Sequence, residues 1–195
     1  MRGGAAVFWT WSASIVLVWA VVALSLEQPL FMRQHSLDLV AFGAFKGSDL
    51  GWASSWKLIA SQWPHVKFPH MLFNALIIGV VGTALSRLYP WPRVLVLGIL
   101  GGAAGQLTGA VLQPDAYISG ASQAYLALCG MAVLVLVRRS LSWWVAWAGI
   151  VVSIALDLFV AKHGGIKPGH IVPVCIGLAV GTYLLKTRHK NRPAA

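Results

Sequence analysis

The chain has 195 residues, of which 58% are hydrophobic and only 10% charged, with a mean hydropathy of +0.74. A water-soluble domain of this size carries about a quarter of its residues as charges, so much of this surface must face lipid. The formal net charge of +10 does not point to nucleic acid, because the basic residues sit between and after apolar runs and no basic patch carries interleaved aromatics.

A helix needs about 20 mostly apolar residues to cross the hydrocarbon. Six runs qualify: Val7–Leu26, Pro69–Leu88, Val94–Leu112, Gly120–Val137, Trp143–Ala161 and Pro168–Leu185. The first run is longer than the apolar core of a signal peptide, and no small-residue cleavage site follows it, so it is read as a span. Between it and the second lies 27–68, with Pro29, Gly43, Gly47 and Gly51. This segment is too polar to span and predicts a structured outer loop with short amphipathic pieces. In the third span, Gly98, Gly101, Gly102, Gly105 and Gly109 form overlapping small-xxx-small pairs. Packing inside the bundle explains them better than dimerisation. Cys129 and Cys175 both fall in apolar runs and are read as small buried hydrophobes, with no disulfide or metal framework. The expected architecture is all-α: a polytopic membrane protein of six helices, one domain over 1–195, with a basic tail over 186–195.

Loop charge sets the expected orientation. Arg2, Arg87, Arg93, Arg138, Arg139, Lys186, Arg188, Lys190 and Arg192 would share one side, with Trp9, Trp11, Trp91, Trp143 and Trp144 as an aromatic belt. That side is expected to be the cytoplasm, which puts both termini there. Arg33, Lys46, Lys57 and Lys67 fall in the long loop opposite, where charge counts for less, joined by Lys162 and Lys167. The expected location is a bacterial inner membrane.

Polar groups within spans are costly and mark candidate sites. His70, Asn74, Ser122 and His170 each lie near the start of a span running from outside to inside, so they share one depth. His70 and Asn74, four apart, share a helix face. His170, Gly177 and Gly181 share another, and Gly177 with Gly181 permits close approach of a neighbour. Ser122 falls in a first helical turn, where unpaired N–H groups and the helix dipole can stabilise an oxyanion. A serine there with a neutral histidine nearby would make a nucleophile and its base. Metal-ligand motifs, paired membrane carboxylates, phosphate-binding loops and the hydrolase elbow are missing, so neither metal nor cofactor is expected.

These residues resemble a known family, the rhomboid intramembrane proteases. His65-x4-His70-x3-Asn74 is similar to the motif of the family's second helix. Gly120-Ala121-Ser122 is similar to the start of its G-x-S-G nucleophile motif. Gly169-His170 followed by Gly177 resembles the sixth-helix signature, and Trp56-Lys57 resembles a Trp-Arg pair in the first loop. The resemblance implies a Ser122–His170 dyad, with an oxyanion hole from the Ser122 backbone N–H and the side chains of His70 and Asn74. It implies membrane-protein substrates cleaved in or next to transmembrane segments, with the bilayer as the other partner. A client-binding relative without activity is the alternative.

Three positions depart from the family pattern. Gln123 replaces the second motif glycine, Pro173 stands where a glycine is usual, and Leu126 holds a place often aromatic, with Tyr125 one residue earlier. His65 is read as structural. For Asp157 a polar packing bond or a water contact is the favoured reading, and orienting His170 as a third triad member is the alternative.

Overall fold

The computed structural model describes residues 3–160 and 165–190. Arg2, Lys162 and Arg192 of the charge pattern, and Ala161 at the end of the fifth predicted span, lie outside the described residues. Seven α-helices are present among them: α1 Gly4–Ser25, α2 Lys57–Ala60, α3 Phe68–Leu88, α4 Trp91–Leu112, α5 Ser122–Val135, α6 Leu141–Phe159 and α7 Pro168–Lys190. Five are long and apolar enough to cross a membrane, and α5 is a shorter apolar helix of 14 residues. The protein is an integral, multi-pass membrane protein.

The helix limits follow local chemistry. α3 begins with Pro69 in its first turn, where a missing N–H costs nothing, and ends at Tyr89, held extended by Pro90. α4 repeats the device with Pro92. Ser140 caps α6, its hydroxyl accepting the Trp143 N–H at 3.3 Å. Pro173 lies inside α7 and removes the bond to the Gly169 carbonyl. That carbonyl points at the crossing with α4, where a Cβ at Gly105 would stand 2.6 Å from it. The proline and the two glycines therefore belong to one close helix contact.

Helix α1 runs antiparallel to α3, with Ser12 donating to the Ala75 carbonyl at 2.6 Å and Phe8 packed on Gly82. α5 is the buried axis of the bundle, with every residue from Ala124 to Ala132 inside. It packs against α3, α4, α6 and α7. Along α5 and α7, Gly130 faces Val174 and Gly181 faces Leu134, so the two run parallel. In α4, Gly98 receives Trp11, Gly101 receives Ala127 and Gly102 receives Gln62, so these small residues serve the bundle interior as expected.

The fourth predicted span is longer than its helix. Gly120, at φ +103°, holds a turn before α5, and Leu136 is extended after it. Fourteen residues rise about 21 Å, against roughly 30 Å of hydrocarbon. The helix is thus about 10 Å shorter than the hydrocarbon, and Ser122 stands at its start. The loop over 27–68 covers that end with three 3-10 turns and α2. A two-residue antiparallel ladder, β1 Phe45–Lys46 with β2 Tyr117–Ile118, ties it to the α4–α5 connection. Lys46 and Asp115 add a 3.0 Å ion pair, which raises the Lys46 pKa. Cys129 is buried as expected, but Cys175 is exposed, at the edge of a cavity that His170 also lines.

Candidate functional site

The turn before α5 is held by three buried bonds. The Gly120 N–H donates to the Ser61 carbonyl at 2.7 Å. The Gln106 amide donates to the Gly120 carbonyl at 3.0 Å. The Ala121 N–H donates to His65 Nε2 at 3.1 Å. Gly120 supplies the positive φ that such a turn requires. Its fixed geometry sets the direction in which Ser122 leaves the helix start. Gln106 and Ser61 were not among the sequence candidates. Gln106 carried the available signal, a polar residue among apolar ones in a span.

His65 is buried, and its bonding fixes its tautomer. Nδ1 lies 2.7 Å from the Trp63 carbonyl, which can only accept, so Nδ1 carries the proton. Nε2 is then bare and accepts from Ala121 N–H and from the Asn74 amide at 2.9 Å. His65 is therefore structural, as read from the sequence. Burial pushes its pKa down from 6.5 to about 4, against the opposing Trp63 bond. The unfolded chain takes up this proton at higher pH than the folded one. The contribution of His65 to stability is thus complete above pH 6.5 and is lost as pH falls toward 4. The gap is worth about 3 kcal/mol. Unfolding temperature in detergent should fall between pH 7 and 4, and His65→Gln should flatten that fall. Equal slopes in the two proteins would contradict the assignment.

Asn74 and His70 stand beside this turn. The second contact of the Asn74 amide is a long 3.4 Å to His70 Nε2. The His70 ring lies beside Gly120, two residues before Ser122. Among the described residues no hydrogen bond joins either side chain to Ser122. The structure thus gathers His70, Asn74 and Ser122 around one turn, with both Asn74 contacts directed at histidine nitrogens.

Ser122 and His170 meet directly. Ser122 Oγ lies 3.0 Å from His170 Nε2, and both residues are buried. The parallel packing of α5 and α7 permits this, because Gly177 and Gly130 bring the two backbones together. His170 Nδ1 lies 2.7 Å from Asp157 Oδ2, and the same oxygen accepts the Lys167 N–H at 3.0 Å. The Asp157 carboxylate thus reaches across from α6 both to Lys167, a polar packing bond, and to the histidine itself. The Ser122 hydroxyl has a second neighbour, Gln123 Oε1, also at 3.0 Å. The stem of Gln123 packs over Gly105, which turns the amide back toward the serine. One hydroxyl proton serves only one of these two acceptors at a time.

The remaining departures have visible consequences. Tyr125 bonds through its hydroxyl to that of Ser153, and its ring is edge-on to Phe73. Leu126 leaves room beside His170 for an apolar cavity of about 110 Å³ bounded by Ile154, Ile171 and Val174. In the first loop, Lys57 Nζ lies 5.8 Å from the centre of the Trp56 ring.

With this geometry, residues 53–187 match the profile of the Rhomboid domain. The chain belongs to the rhomboid family. It is 28% identical over 150 residues to Rhomboid protease GluP of Bacillus subtilis (strain 168), which covers 72% of this chain and 30% of that protein. It is 28% identical over 75 residues to RHOMBOID-like protein 7 of Arabidopsis thaliana, covering 38% of this chain and 24% of that one. This rhomboid chain therefore spans less than a third of the length of either relative.

Proposed function

We propose that this rhomboid is an intramembrane serine protease that cleaves peptide bonds in or next to the transmembrane segments of membrane proteins. The supporting observation is the 3.0 Å contact between Ser122 Oγ and His170 Nε2, at the start of a buried helix. Ser122 is the nucleophile and His170 its base. The Ser122 backbone N–H, at the start of α5, supplies one oxyanion donor. Asn74 and His70 supply the others. The 3.4 Å contact between them is long enough for a substrate oxygen to replace it. No cofactor takes part in this chemistry.

The proposed setting is a bacterial inner membrane with both termini cytoplasmic. Arg87, Arg93, Arg138, Arg139 and Lys186 stand at the helix ends remote from Ser122, beside Trp91, Trp143 and Trp144. A reporter active only outside the cytoplasm, fused after Arg192, should stay silent. A strong signal would reverse the orientation.

Gln123 favours a second reading, a rhomboid that binds membrane clients without cutting them. Its carbonyl oxygen competes with His170 for the serine proton. Turning the amide over replaces that acceptor with an N–H₂ donor beside the developing oxyanion, so the side chain is compatible with catalysis. In proteoliposomes with a transmembrane peptide substrate, the wild type should cleave, and Gln123→Gly should stay within about tenfold, or roughly 1.4 kcal/mol of barrier. A silent wild type beside an active Gln123→Gly would establish the client-binding reading.

A further inference from the structure

We propose that Asp157 is a positioning residue for His170, which makes the site a serine–histidine–aspartate triad where the family resemblance implies a dyad. The inference rests on the protease reading above and adds a residue to it. Three observations carry it. Asp157 is the one charged residue of α6, and its side chain is 3% exposed. Its Oδ2 accepts from His170 Nδ1 at 2.7 Å, the short distance of a charge-assisted bond. The same oxygen accepts the Lys167 N–H at 3.0 Å, and Lys167 Nζ lies 3.9 Å from Oδ1. A packing role would be met by the Lys167 contacts alone. The bond to the imidazole adds a function: it fixes the proton on Nδ1 and leaves Nε2 bare, facing the Ser122 hydroxyl.

The chemistry balances without moving a proton to the carboxylate. As Ser122 Oγ bonds to the substrate carbonyl carbon, its proton passes to His170 Nε2 and the carbonyl oxygen becomes an oxyanion. The imidazolium keeps its Nδ1–H on Asp157, which stabilises the new positive charge. The Nε2 proton then goes to the leaving amine as the C–N bond breaks, and the acyl-enzyme remains. Water hydrolyses that ester by the same route, with His170 taking and returning one proton.

The Lys167 bond has a further effect. It ties the start of α7 to α6, so one oxygen atom holds both the Lys167 N–H and the His170 ring. The Lys167 N–H also dictates how an asparagine would sit. An Asp157→Asn amide must turn its Oδ1 to that position, which keeps the acceptor for Nδ1–H and removes only the charge. Asp157→Ala removes both.

Two readouts test this, on the full chain in detergent. In ¹⁵N-histidine spectra, His170 is assigned by its absence from His170→Gln. The wild type and Asp157→Asn should show the Nδ1–H tautomer, and Asp157→Ala should shift toward Nε2–H. With a transmembrane substrate, kcat should fall at least 100-fold in Asp157→Ala and at least tenfold in Asp157→Asn, with KM within threefold in both. If Asp157→Ala does not insert, Asp157→Asn decides alone through kcat. An Asp157→Asn protein with wild-type kcat, or a folded Asp157→Ala keeping the Nδ1–H tautomer, would overturn the proposal. The tautomer needs no turnover, so a wild type that cleaves nothing would refute the protease reading while the spectra still judged Asp157.

Discussion

Ser122→Ala and His170→Ala should each abolish cleavage of a transmembrane substrate, by more than about 10⁴-fold, with expression and membrane insertion close to normal. Nucleophile and base act as one unit. Without Oγ no acyl-enzyme forms, and without Nε2 the hydroxyl keeps its proton. The structural cost of Ser122→Ala is small. It removes a hydroxyl whose contacts are His170 and Gln123, worth about 0.5–1.5 kcal/mol as a hydrogen bond, and leaves a methyl group that fits the same space. Lost activity with retained folding would therefore report chemistry. Purified Ser122→Ala that cleaves at the wild-type rate would place the nucleophile elsewhere.

Gly177→Leu should remove activity for a different reason. A Cβ at Gly177 would meet the Ala127 carbonyl oxygen, with the Met131 nitrogen at 2.8 Å and Gly130 Cα at 3.0 Å. All are backbone atoms of α5, and none can swing aside as a side-chain tip could. The helices must separate, at a typical overpacking cost of about 1–3 kcal/mol or more. These are the two helices that carry Ser122 and His170, and a 3.0 Å hydrogen bond tolerates little separation. Gly177→Leu should thus lower the unfolding temperature and react with a serine-directed probe at least 100-fold more slowly than the wild type. Gly109→Ala, whose Cβ would meet only Ile118 at 3.6 Å, should change neither. Wild-type reactivity in Gly177→Leu would mean that close packing of α5 on α7 does not position the pair.

Much of this arrangement is legible from the residues because lipid is a strict solvent. Apolar runs of sufficient length must be helices that satisfy their own backbone, which is why each of the six runs finds a helix, although the bounds differ by up to five residues. Alternating direction then puts His70, Asn74, Ser122 and His170 at one depth. Contacts across helices are less accessible. The Asp157 bond joins α6 to His170 on α7, and no periodicity encodes which side chains of two helices meet. The brevity of α5 was hidden because Gly120 and Leu136 lie in a continuous apolar run, although one has a left-handed φ and the other is extended. Gln106 was masked by the glycine pairs around it. Its importance lies in a single carbonyl, that of Gly120, which approaches from another part of the chain. Cys175 shows the opposite limit: in a membrane protein an apolar run does not distinguish a buried residue from an exposed one.

The central claim is that Ser122 is an activated nucleophile. Its most direct test is reaction of the purified wild type with a fluorophosphonate, followed by mass spectrometry of the labelled peptide. One adduct is expected, on Ser122, and it should be missing from Ser122→Ala and strongly slowed in His170→Ala. A well-folded wild type that stays unlabelled, or carries the adduct on another serine, would contradict the account.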